Sequence, residues 1–119
     1  MRRGSFRGAI TSQLTALAGT LGANATASLA FSDKQSAVDI LKALSAEPHV
    51  VTGCLYDKKG AFFAAYQRAG ATDRCSEALA QGEEARFGSD SVTVYRPISL
   101  ANEQVGWIAI TSDLGELQA

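Results

Sequence analysis

The sequence predicts an α+β domain with an antiparallel sheet and its helices gathered on one face. Two observations carry this. Before Pro48 the apolar residues recur at helical spacing, and after it they give way to β-branched and aromatic runs separated by turn residues. The length, 119 residues, suits one domain, here read as residues 1–119, with a single small core. Hydrophobic residues make up 46% and charged residues 19%, which is incompatible with a disordered chain.

The first helix is predicted over residues 9–29. Ile10, Leu14, Leu17 and Leu21 step by 4, 3 and 4, the spacing of an a/d stripe. Alanines fill much of the remainder and favour helix. Arg2, Arg3 and Arg7 are the only charged residues before Asp33. The uncharged stretch 8–32 invites two other readings. A membrane span is opposed by its many Thr, Ser, Gln and Asn residues, and a signal peptide by the lack of a clean apolar run. The apolar stripe fits either packing within the chain or contact with a second copy. An uncharged helix this long has more than one side to cover, so Ile10, Leu14, Leu17 and Leu21 are expected to form a homodimer contact.

Ser32 is the expected N-cap of a second helix, with Gln35 completing a capping box. Ala37, Val38, Ile40, Leu41 and Leu44 give that helix one apolar face, and Glu47-Pro48 ends it. Residues 49–56 then read as a strand, Asp57-Lys58-Lys59-Gly60 as a type I turn, and 61–66 as the returning strand. Residues 67–90 carry weaker signals: Asp73 or Ser76 as the cap of a short helix through Leu79 and Ala80, an exposed Glu83-Glu84, and a short edge strand over 85–87. Residues 91–100 alternate, with Val92, Val94, Arg96 and Ile98 on one face and Thr93, Tyr95 and Pro97 on the other. Asn102-Glu103 turns the chain into a last strand over 104–112, and Asp113 is read as the cap of a further helix. A helix beginning so late reads as part of a longer protein.

Composition narrows the function. Eleven basic and twelve acidic residues give a net charge of −1, unsuited to nucleic acid as a general partner. The single histidine, His49, has no nucleophile or acid at motif spacing and is read as structural. No P-loop, EF-hand or zinc-protease pattern is present, so neither metal, cofactor nor enzymatic activity is predicted. Cys54 and Cys75 are an even pair without CxxC spacing or metal partners, which favours a disulfide over two free thiols. A bridge of that span stabilises by about 3 kcal/mol in the chain-entropy treatment and belongs to an oxidising compartment. Tyr56, Tyr66, Tyr95 and Arg96 lie on predicted strands with Trp107. They read either as ordinary sheet residues or, on one sheet face, as a site for a small anion or carboxylate.

The run Leu21-Gly22-Ala23-Asn24-Ala25-Thr26-Ala27-Ser28-Leu29-Ala30-Phe31-Ser32-Asp33 resembles the end of the first helix in CHASE-type extracytoplasmic sensor domains. Further segments resemble that family in order: Leu41-Lys42-Ala43-Leu44, Glu47-Pro48-His49-Val50, Cys54-Leu55-Tyr56-Asp57-Lys58-Lys59-Gly60, Ala65-Tyr66, Arg96-Pro97-Ile98, Val105-Gly106-Trp107-Ile108 and Ser112-Asp113-Leu114. A second cysteine in the crossover also fits the pattern. The resemblance covers about residues 14–117 and implies a PAS-like fold of about five antiparallel strands, with a long first helix and a second helix on one face. It further implies a periplasmic input domain of a bacterial membrane-bound histidine kinase or diguanylate cyclase, with flanking membrane helices and an output module outside this chain. Such a domain passes the signal of a small molecule or a periplasmic protein through its terminal helices, as a homodimer. A cytosolic PAS- or profilin-like scaffold is the alternative, which free thiols and an internally packed first helix would favour.

Overall fold

The computed structural model describes residues 2–71, 75, 85–88 and 90–114. Among these residues, three helices and a short 3-10 turn precede five strands: α1 Arg2–Asn24, α2 Thr26–Ala30, α3 Lys34–Leu41, the turn Lys42–Ala46, β1 Val50–Asp57, β2 Phe62–Gln67, β3 Ala85–Phe87, β4 Ser91–Leu100 and β5 Glu103–Asp113. The strands form one antiparallel sheet in the order β2-β1-β5-β4-β3. This is the PAS-like α+β architecture, with the helices on one face.

The predicted first helix is longer and is broken. It begins at Arg2 and stops at Asn24, and α2 resumes at Thr26. Ala25 at the break has φ −94° and ψ 0°, and its N–H is shared between the carbonyls of Leu21 and Gly22. The Thr26 hydroxyl donates to the Ala23 carbonyl at 3.2 Å, a side-chain bond that competes with the helical ladder. The break redirects the chain so that α2 reaches α3, where the buried Ser28 hydroxyl donates to Ser36 at 2.8 Å.

The cap of α3 also differs from expectation by one residue. Asp33, not Ser32, is the N-cap, and its carboxylate accepts from the Ser36 N–H at 3.1 Å. Ser32 takes φ 55° to turn the chain out of α2. Gln35 donates to Asp39 along the helix rather than closing a capping box. Leu44, predicted on the helix, sits on the 3-10 turn and is fully buried.

The first hairpin closes as predicted. Gly60 donates to the Asp57 carbonyl at 2.9 Å and adopts φ 85°, which glycine alone takes without strain. The Asp57 carboxylate accepts from the N–H groups of Lys59 and Ala61. The second hairpin turns at Ala101-Asn102, one residue earlier than predicted. Both have positive φ, 53° and 66°, the requirement of a two-residue turn whose twist matches its strands. Asp113 ends β5 and caps no described helix. The predicted helix through Leu79 and Ala80, the Glu83-Glu84 loop and residues 115–119 lie outside the described residues.

The core lies between the helices and one sheet face. It joins Leu14, Ala18 and Leu21 of α1 and Leu29 of α2 to Leu55, Val92, Val94, Ile98, Ile108 and Ile110. The helices approach closely at Gly106, where a Cβ would collide with the Tyr56 carbonyl and lie 2.9 Å from a Leu29 methyl. Gly106→Ala is therefore expected to destabilise by about 2–3 kcal/mol, since the carbonyl belongs to the sheet and cannot swing away. Gly19 has open space around it, and Gly19→Ala is expected to be neutral or to stabilise by up to about 1 kcal/mol. Urea denaturation of the two variants checks the contrast, and equal effects would contradict it.

Candidate functional site

Antiparallel pairing brings the start of β1 beside the end of β5, with Val50 opposite Ser112. One step further, the Asp113 N–H donates to the His49 carbonyl at 2.8 Å. The same register sets the His49 ring against the Asp113 carboxylate, with Nδ1 and Oδ1 2.8 Å apart. The other carboxylate oxygen accepts from Arg68 Nη1 at 2.9 Å, and that nitrogen also donates to the Pro48 carbonyl. Arg68 is fixed by its own N–H, which donates to the Val51 carbonyl just past the end of β2. One carboxylate thus joins the segment before β1, the segment after β2 and the end of β5.

The side chains of His49, Arg68 and Asp113 are 43%, 37% and 32% exposed. Water therefore screens the pairs, and their worth lies in orientation more than in stability. The arrangement is not a hydrolytic triad. The adjacent Ser112 hydroxyl donates to the Asp113 carbonyl at 2.9 Å and so is not aimed at the ring. Among the described residues no group of three or more histidines, cysteines or carboxylates is placed to hold a metal ion.

A cleft of about 480 Å³ opens beside this cluster. Ile10, Leu14 and Leu17 of α1 form one wall, and Glu47, His49 and Asp113 stand on the other. A smaller hollow of about 230 Å³ also borders Asp113, together with Arg68 and Asp90. At the opposite pole, a cleft of about 460 Å³ is bordered by Leu29, Lys58, Lys59 and Leu100.

The candidates read from the sequence separate in space. Tyr56 is buried with Cys54 and Ala109 in a second, smaller cluster, and Tyr95, Trp107 and Cys75 pack against it. Tyr66 instead packs on the main core, and the exposed Arg96 stands opposite Ile108, a residue of that core. The proposed tyrosine and arginine set on one face is therefore corrected: strand alternation sends Tyr56 and Tyr95 to one side and Tyr66 and Arg96 to the other. On the second face the Tyr56 and Phe62 rings meet edge to face at 6.4 Å. The Cys54 and Cys75 sulfurs are bonded there, with Cα atoms 5.8 Å apart, so the crossover is tied to the sheet.

The leucine stripe of α1 is also reassigned. Leu14 and Leu21 are 6% and 4% exposed within the single chain, and Ile10 and Leu17 pack on the same core. The sheet thus covers Leu14 and Leu21 within one chain, while Ile10 and Leu17 stay partly buried beside the open cleft. The helix face turned away from the sheet holds small residues instead: Ser12, Ala16 and Ala23 are exposed and Gly19 partly so.

No helix among the described residues is long and apolar enough to cross a membrane. Among curated proteins, none matches the chain. The CHASE8 family profile, described as a periplasmic sensor domain, matches residues 6–111. The chain belongs to the CHASE8 family. Its role is accordingly extracytoplasmic sensing, and its place is the periplasmic side, where disulfides persist.

For the CHASE8 domain the Cys54–Cys75 bridge closes a loop with a sequence separation of 21. Replacing both cysteines by alanine is expected to lower the unfolding free energy by about 3 kcal/mol, mainly by freeing the unfolded chain. Denaturant unfolding under non-reducing conditions measures it, and a loss below about 1 kcal/mol would contradict the expectation.

Proposed function

We propose that this CHASE8 domain is the input module of a membrane-anchored sensor histidine kinase or diguanylate cyclase, working as a homodimer. The observation that carries the reading is one of polarity. α1 runs opposite to β5, so its N-terminal half lies beside Ser112 and Asp113. The helix α2 that follows α1 packs near the start of β5, with Leu29 against Gly106. The segments nearest the two ends of the domain therefore share one pole, which suits two connections to a single membrane. A ligand or a periplasmic protein that alters how α1 sits on the sheet would shift one connection against the other, a two-state displacement.

The dimer contact in this proposal is the outer face of α1. Ser12, Ala16, Gly19 and Ala23 step by 4, 3 and 4, opposite the buried leucines, and they carry no charge. Small side chains let two helices come close enough for their backbones to pack. The test is oxidative cross-linking of single-cysteine variants in the full-length protein in its membrane, with Cys54 and Cys75 still bonded. Ala16→Cys is expected to give covalent dimers and to change the cytoplasmic output, while Leu14→Cys is not expected to cross-link. Equal cross-linking at both positions, or none at Ala16, would overturn the arrangement.

A further inference from the structure

We infer that the junction between α1 and α2 is a two-state hinge, bent at Ala25 while α2 is docked and continuous helix as far as Ala30 when α2 lets go. The inference deepens the sensor reading and rests on it for its consequence, though not for the hinge itself. A single residue, Ala25, separates the two helices. Its φ of −94° and ψ of 0° lie about 30° and 40° from helical values. Helix breaks trace to proline, to Gly/Ser pairs, to a π-bulge or to a side chain inserted into the ladder. Residues 23–27, Ala-Asn-Ala-Thr-Ala, contain no proline, glycine or serine, and three of the five are alanine, the strongest helix former. The inserted group is the Thr26 hydroxyl, whose 3.2 Å bond to the Ala23 carbonyl is exposed to water. Apart from that bond, the local sequence favours one helix running through the break.

The opposing contacts are tertiary, and they hold α2. Leu29 is buried in a socket at Gly106, where a Cβ would lie 2.9 Å from the leucine methyl. The buried Ser28 hydroxyl donates to Ser36 of α3 at 2.8 Å, and the Ser28 carbonyl accepts from the Asp33 N–H at 2.8 Å. Docking also carries a local cost, because Ser32 takes φ 55°, a left-handed conformation unfavourable for a residue with a Cβ. Helix preference and tertiary docking thus pull the junction in opposite directions, the condition for two arrangements close in free energy. The Ser28–Ser36 bond is the latch between them. In the sensor, a signal that parts α2 from α3 lengthens α1 at its C-terminal end and alters its seating on the sheet.

The test is saturation-transfer NMR of the 119-residue chain, which reads the Cα shifts of a sparsely populated state exchanging with the main one. The straight state is expected at about 1% in the unaltered chain. Ser28→Ala is expected to raise it about tenfold, the scale of one net hydrogen bond. Its Cα shifts at residues 24–28 are expected to be those of continuous helix. Thr26→Ala and Thr26→Gly both remove the competing hydroxyl and differ in helix propensity. The alanine variant is therefore expected to hold about fivefold more of the straight state than the glycine variant. If Ser28→Ala fails to fold, the Thr26 pair carries the test, since Thr26 lies outside the core. A minor state with random-coil shifts, no minor state in Ser28→Ala, or equal populations in the two Thr26 variants would overturn the inference. None of those results bears on cross-linking at Ala16, which tests the sensor reading separately.

Discussion

The domain depends on the seating of α1 on its own sheet. Leu14, Ala18 and Leu21 lie against a sheet face built from Val92, Val94, Ile98, Ile108 and Ile110. Burying each leucine contributes about 2–3 kcal/mol, and α1 makes its main contact with β4. Ala18 within α1 and Ala25 just past its end are fully buried, so the C-terminal half of the helix lies close to the sheet. Without that stripe, the central strands would present a row of aliphatic side chains to water. The same seating places Ile10, Leu14 and Leu17 of α1 beside the end of β5.

The other features elaborate this plan. The break at Ala25 turns the chain so that α2 and α3 cover the rest of the core face. The bridge from Cys54 holds Cys75 on the opposite face, where Tyr56, Tyr95 and Trp107 gather. The sheet is thus covered by helices on one side and is bonded to Cys75 on the other. The cluster of His49, Arg68 and Asp113 closes the pole that α1 shares with β5. It is half exposed, so it holds a geometry that a modest competing interaction can change.

Much of this plan was legible in the sequence, because it rests on local pattern. The 4-3-4 spacing announced α1, the change of period at Pro48 announced the sheet, and Asp57 and Gly60 announced the first hairpin. What was missed depends on pairing between distant segments. Nothing near His49 points to Asp113, which is 64 residues away, and only the β1–β5 register brings them together. The tyrosines and Arg96 looked like one set until alternation divided them between faces. The leucine stripe was seen correctly as apolar, but its pattern could not say which surface would cover it. The sheet covers Leu14 and Leu21, and the small residues behind them are the face that the proposed dimer would use.

The most direct test of this account is an isotope-filtered methyl NOE experiment on the chain at dimer-forming concentration, with labelled and unlabelled copies mixed. It separates contacts within a chain from contacts between chains. The account predicts that the methyls of Leu14 and Leu21 show NOEs to Val94, Ile98 and Ile110 within one chain only, and that NOEs between chains involve Ala16 and Ala23. Leucine-to-leucine NOEs between chains, with none from Leu14 or Leu21 to the sheet, would contradict it.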